Sequence, residues 1–148
     1  MEPLIIFYAD DDEDDHFIFK ESLNNTHIPY TLKLFKNGLS LLGELEKVNF
    51  ACDVVFTDLN MPVCDGLGVL KSLQQPILED GLRVVVLSTS DAMSDIQKIY
   101  ELNASLFIQK TNNIRIFVKL LKTVIQDKLY SRLPDNRESF IVTKKMFN

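Results

Sequence analysis

The residues best suited to chemistry in this chain are acids, and most of them are adjacent. Asp10-Asp11-Asp12-Glu13-Asp14-Asp15 is a run of six carboxylates, and Asp58 stands alone directly after the apolar residues 54–57. Like charges crowded into a loop repel and favour water, which is the ordinary fate of such a run. A trio of Asp10, Asp11 and Asp58 is different: carboxylates held together need a hard divalent cation to offset their repulsion, and magnesium is the natural candidate. Ser88, which opens Ser88-Thr89-Ser90, and Lys110, after Gln109, follow two further apolar runs. Taken alone, a serine there is a turn or cap residue and a lysine a solvated end. Taken together, cation, nucleophilic carboxylate, hydroxyl donor and ammonium are able to stabilise charge on the equatorial oxygens of a phosphoryl group in transfer. The chemistry predicted from these residues is phosphoryl transfer to Asp58.

Such a set works only if the backbone brings its members to one place. Residues 4–9, 31–35, 54–57, 84–87 and 106–108 form short apolar runs, mostly β-branched or aromatic, which suits five buried strands. Between them, apolar side chains recur three and four apart: Phe17, Ile18 and Leu23; Leu41, Leu42 and Leu45; Leu67, Leu70 and Leu73; Ile96, Ile99 and Tyr100. These spacings predict helices. A fifth helix follows, with Ile114, Phe117, Val118, Leu121, Val124 and Ile125 on one stripe and Thr111 or Asn112 as its cap. Strand and helix alternating five times predict right-handed crossovers and an open α/β sandwich with a parallel sheet. In such sheets the working crevice lies at the carboxyl ends of the strands, where the candidate residues fall.

The 148 residues, 46% hydrophobic and 25% charged, suit one globular domain and leave little room for a second. The longest apolar run, Leu4 to Ala9, is far short of the roughly 20 residues that span a bilayer, and the start lacks a signal-peptide pattern, so a cytoplasmic protein without a membrane segment is expected. Cys52 and Cys64 lack zinc-site spacing and read as reduced thiols. The net charge is −5, and residues 1–25 carry eight acids against Lys20 alone. Nucleic acid is disfavoured there, and the weakly basic last stretch does not make a DNA-binding arm.

In this order and spacing, Phe7-Tyr8-Ala9-Asp10-Asp11, Val55-Phe56-Thr57-Asp58-Leu59-Asn60-Met61-Pro62 with Asp65-Gly66, Leu87-Ser88-Thr89-Ser90, and Phe107-Ile108-Gln109-Lys110 resemble the receiver domains of two-component response regulators over about residues 4–128. The resemblance implies a flavodoxin-like (βα)5 fold of strand order 2-1-3-4-5, an arrangement the general rule for such sheets illustrates with the chemotaxis receiver. It implies Asp58 as phosphoacceptor, with magnesium bound by Asp11 and Asp58 directly, by Asp10 through water and by the backbone carbonyl of Asn60. Ser88 is then the switch hydroxyl, Lys110 the ammonium that contacts phosphate and Phe107 the aromatic switch position. The implied donor is a histidine kinase or histidine phosphotransfer protein, and the implied output a changed protein-binding surface on the fourth helix, fifth strand and fifth helix. Thr111 stands where the family usually has proline, so the loop after Lys110 is expected to differ.

By this reading residues 1–130 form a stand-alone receiver, a monomer or weak dimer that assists its own phosphorylation rather than turning over a substrate. Residues 131–148 form a tail without an effector domain, whose Phe140-Ile141-Val142 and Met146-Phe147 either pack back on the domain or meet a partner. The alternative is a pseudo-receiver, the same fold serving as a phosphorylation-independent interaction module; the complete set of acceptor, acid pair and lysine argues against it. A calcium loop over residues 10–21 is opposed by Asp15 where a sharp turn needs glycine, and by a strand rather than a helix before it. A haloacid-dehalogenase-like phosphatase leaves Asp58 and Met61-Pro62 unexplained. Asp11-Asp12 is a possible register in place of Asp10-Asp11, disfavoured because Asp10 follows the strand directly. Phe107 also reads as a buried strand aromatic, Met61 and Pro62 as loop-shaping residues, Gly66 as a turn into the third helix, and His16 and His27 as residues without chemistry.

Overall fold

The computed structural model describes residues 2–90, 92–128 and 140–142. Strands β1 (Leu4–Ala9), β2 (Tyr30–Phe35), β3 (Val54–Asp58), β4 (Val84–Ser88), β5 (Leu106–Gln109) and β6 (Ile141–Val142) form one parallel sheet of order 2-1-3-4-5-6. Helices α1 (Glu13–Asn24), α2 (Gly38–Lys47), α3 (Gly66–Ser72), α4 (Gln74–Asp80), α5 (Met93–Glu101) and α6 (Ile114–Lys122) connect the strands, and α6 runs on into a π-helical segment, Thr123–Lys128. The expected flavodoxin-like order 2-1-3-4-5 is present, with one strand added at its end. Among the described residues no helix is long and apolar enough to cross a membrane.

The strands are apolar without interruption because both faces of the sheet are covered, and alternate side chains enter different cores. Leu4, Ile6, Tyr8, Val54, Phe56, Val85, Leu87, Leu106 and Ile108 pack with Phe19 and Leu23 of α1 and Phe117, Leu120 and Leu121 of α6. Phe7, Ala9, Val55, Val84, Val86 and Phe107 pack with Leu41 and Leu45 of α2, Val69 and Leu70 of α3, and Ile96 and Ile99 of α5. Burying side chains of this size supplies about 1.5–3 kcal/mol each before chain entropy is counted. That opposing pair of layers fixes strand register, since a slip of one residue exchanges the two faces.

Several elements depart from the sequence expectation. β2 is an edge strand, and none of its six residues is buried. Phe17 faces solvent at 62% exposure, because α1 turns Phe19, Ser22 and Leu23 inward instead. A sixth helix, α4, follows α3 directly; its Pro76 lies in the first turn, where a missing N–H breaks no helical hydrogen bond. The side chain that caps α6 is that of Asn113, accepting the Ile116 amide at 3.2 Å, not Thr111 or Asn112. Thr111 instead accepts the Asn113 amide at 3.2 Å, shaping the turn that delivers the cap. Among the described residues no peptide bond is cis, so the Lys110–Thr111 link is trans.

The described part of the C-terminal stretch folds back. Ile141 pairs with Phe107 and Val142 with Ile108, and Phe140 is fully buried with its ring 5.2 Å from that of Tyr100 on α5. Met146 and Phe147 lie outside the described residues. Phe140→Ala is expected to lower the unfolding free energy by about 3 kcal/mol, read from urea denaturation at unchanged slope; a loss under about 0.5 kcal/mol, the range of ordinary surface substitutions, contradicts this packing.

Candidate phosphoryl-transfer site at the sheet rim

Parallel register carries the candidate residues to one rim. Ala9 pairs with Thr57, which sets Asp10 beside Asp58; Asp58 pairs with Leu87, and Ser88 with Gln109, so Ser88 and Lys110 emerge next to it. Strand alternation then sorts their directions. Asp10, Asp58 and Lys110 continue the series Ile6-Tyr8, Val54-Phe56 and Leu106-Ile108 that faces α1 and α6, whereas Ser88 and Phe107 continue on the α5 side.

Carboxylate oxygens of Asp10, Asp11 and Asp58 lie within 4.8 Å of one another. Asp10 is fully buried, Asp58 nearly so, and Asp11 exposed. Three hard oxygen donors at this separation fit a divalent cation, and the repulsion they exert on one another is what such an ion relieves. Lys110 is the fixed positive charge of the site. Its Nζ lies 2.7 Å from Asp10 Oδ2, 2.8 Å from Asp15 Oδ2 and 3.1 Å from Asp58 Oδ1. Although proline does not follow it here, Lys110 is directed to the rim and lies within ion-pair distance of Asp58.

Asp12 has a different use. It is the N-cap of α1, accepting the Asp14 and Asp15 amides at 2.8 and 3.3 Å, while its own amide donates to Asp10 Oδ1 at 3.0 Å. This geometry sets Asp10-Asp11, not Asp11-Asp12, against Asp58. Capping also places acids in the first helical turn, where the N-terminal end of the helix dipole favours negative charge.

Burial pushes the Asp58 carboxyl up to about 6; Lys110 pulls against that shift, and Asp10 and Asp11 add to it by repulsion. Burial works against the Lys110 ammonium, but its hydrogen bonds to Asp10 and Asp15 prevail and hold it above the usual lysine range. Tyr8, buried beneath the rim, donates its hydroxyl to Asp10 Oδ2 at 2.5 Å; burial first, then the Asp10 charge, raise it far beyond an ordinary phenol. Two strand residues apart, Tyr8 and Asp10 share a face, a relation visible in the alternation. Asp15 and Tyr8 were not singled out by sequence reasoning. The signal for Asp15 is its position four residues before Phe19, heading the inward stripe of α1.

Ser88 is buried; its Oγ accepts the Ser90 amide at 3.1 Å and its carbonyl accepts the Lys110 amide at 2.8 Å. Phe107 is buried between Val86 and Ile141 in the sheet. Asn60 is exposed in the loop that follows Asp58 and Leu59. In that loop Met61 packs partly buried on the core, while Pro62 accepts the Cys64 amide at 2.8 Å across Val63. Val63 is β-branched at φ 70°, a strained centre for a three-residue turn. Gly66 starts α3 so close to β3 that an added Cβ lies 2.7 Å from the Asp58 carbonyl oxygen and 2.9 Å from Leu59 Cα. Its need for glycine is close approach to the Asp58 backbone, not a left-handed turn. His16 lies edge-on to the Tyr8 ring, and its buried Nε2 has no hydrogen-bond partner. A cavity of about 290 Å³ opens beside Lys110, bordered by Asp15, Thr89, Thr111 and Asn112.

The comparisons agree with this geometry. Residues 6–122 match the model of the response regulator receiver domain. Response regulator Rcp1 of Synechocystis sp. is 26% identical over 127 residues, which cover 82% of this chain and 86% of that protein. Chemotaxis protein CheV2 of Helicobacter pylori is 36% identical over 92 residues, 61% of this chain but 29% of the longer protein. Among solved structures, the Mn2+-bound form of Rcp1 superposes with a TM-score of 0.73 at 26% identity, covering 89% of this chain and 99% of that one. The phosphorylated cyanobacterial phytochrome response regulator RcpA gives 0.77 at 27% identity, covering 90% and 100%. With the matched region spanning most of the sheet and every element of the rim, the chain belongs to the response regulator receiver domain family.

Proposed function

We propose that this protein is a receiver that accepts a phosphoryl group on Asp58 from the phosphohistidine of a histidine kinase or histidine phosphotransfer protein, and signals through a changed protein-binding surface to a downstream protein. The observation that carries the reading is the Lys110 ammonium, 2.7 Å from Asp10 and 3.1 Å from Asp58, at the rim where three carboxylates converge. Asp58 attacks phosphorus in line; the new O–P bond forms as the N–P bond to the donor imidazole breaks, and the imidazole leaves with the bonding pair and is protonated. Lys110, anchored by buried Asp10, offers an N–H to the incoming oxygens, so positioning and charge do most of the work. Mg2+, held by Asp10, Asp11, Asp58 and the Asn60 carbonyl, supplies further positive charge to those oxygens when bound. That Rcp1 has a Mn2+-bound form and RcpA a phosphorylated one supports a divalent ion and a phosphoryl group in this reading.

The Ser90 amide occupies a lone pair of the Ser88 oxygen and leaves the hydroxyl proton free to donate. Phosphorylation adds about −1.5 to −2 charge. Ser88 donates toward it, drawing the loop after β4 inward, and Phe107 repacks on the α5 side. In this reading residues 1–130 carry the switch, and the protein is a cytoplasmic monomer or weak dimer.

Incubation with acetyl phosphate and Mg2+ is expected to add one phosphoryl group by intact mass, and Asp58→Asn to abolish it. No adduct on the wild type, or the same adduct on the variant, overturns the assignment in favour of a pseudo-receiver. In metal-free protein the Asp58 carboxyl titrates near 6, above its ordinary 3.8, so the folded state holds that proton more tightly. Its contribution to stability therefore falls as pH rises across that interval, reaching on the order of 2–3 kcal/mol lost at neutral pH. Without metal at pH 7, Asp58→Asn is expected to melt higher than wild type. Added Mg2+ raises the wild-type melting temperature and moves the variant much less. A variant that melts lower without metal contradicts this balance of charge.

A further inference from the structure

An ammonium has three N–H bonds; Lys110 donates one to Asp10 and one to Asp15, and its Nζ stands 3.1 Å from Asp58 Oδ1. Asp10 and Asp58 belong to the proposed acceptor site. Asp15 stands outside the carboxylate trio gathered for a cation and meets the site through Lys110 at 2.8 Å. Its side chain is 31% exposed, at the head of the α1 face that turns Phe19, Ser22 and Leu23 inward.

We infer that Asp15 is a positioning residue that keeps one N–H of Lys110 at the rim and so limits the charge Lys110 gives to a phosphoryl group on Asp58. The inference rests on Asp58 being the acceptor. Two effects of Asp15 oppose each other: it helps hold Lys110 in place, and it adds negative charge beside an incoming anion. The second prevails because Asp10, fully buried and 2.7 Å from Nζ, anchors Lys110 without help. Removing the Asp15 charge therefore loosens the hold on that N–H and strengthens retention of the anion.

The test is titration of the full chain with beryllofluoride, a non-covalent phosphoryl mimic, at fixed Mg2+, followed by 19F NMR. Asp15→Asn is expected to bind it roughly three- to tenfold tighter, as for a partly screened charge pair, and Asp15→Glu, which restores the charge, to return toward wild type. Equal affinity within twofold, or weaker binding by Asp15→Asn, overturns the inference. A second readout needs no phosphoryl chemistry. The Lys110 ammonium of the unliganded wild type should give a slowly exchanging 15N signal that Asp15→Asn shifts or broadens; an unchanged signal overturns the inference too. If the wild type takes up neither acetyl phosphate nor beryllofluoride, the acceptor reading fails, and the ammonium spectrum still decides whether Asp15 holds Lys110.

Discussion

The rim is organised by one ammonium among acids. Asp10, Asp15 and Asp58 approach closely although each repels the others, and at distances near 3 Å from Lys110 the attraction is strong where water is excluded. Lys110 does not neutralise the set, since three carboxylates face it directly and Asp11 stands close by. The unmatched negative charge suits the place to a divalent cation, and burial, with repulsion from Asp10 and Asp11 added to it, raises the Asp58 carboxyl. A different balance, with a second lysine at the rim, would favour a carboxylate that ionises readily and holds no metal.

This arrangement depends on backbone that is not itself polar chemistry. Parallel pairing brings the strand ends together, and two opposed apolar layers prevent the slip that turns Asp10 and Lys110 to the other face. Asp12 caps α1 and binds Asp10 through its amide, so the helix entry and the buried acid of the trio share one local network. On the opposite side of Asp58, the close approach of Gly66 seats α3 against the strand end. Tyr8 adds a hydroxyl from below, leaving Asp10 with partners at both oxygens.

Most of the sheet could be read from short apolar runs, and the positions of Asp10, Asp58, Ser88 and Lys110 from their places just after them. Phosphoryl transfer to Asp58 is legible in the residue types and their places, whereas the switch roles of Ser88 and Phe107 come from resemblance. What escaped had physical reasons. α4 is seven residues long with a proline, too short to show a helical period, and Phe17 looked like a core residue because the stripe of α1 is shifted by two. β2 resembles its neighbours in composition, yet its edge position exposes it. In a run of six acids, composition does not tell the cap from the pair set against Asp58; only the path of the chain into α1 does. Asp15 was hidden by the same crowd.

The sixth strand has a consequence for company. A bare β5 offers a row of unpaired amides and carbonyls to any passing extended segment, the usual route to strand exchange and fibrous association. Two residues of parallel pairing, pinned by the Phe140 ring against Tyr100, close that row with the chain's own material. Encounters on this flank are thereby steered toward side chains of the neighbouring helices, and a visitor that needs the backbone of β5 must first evict the resident.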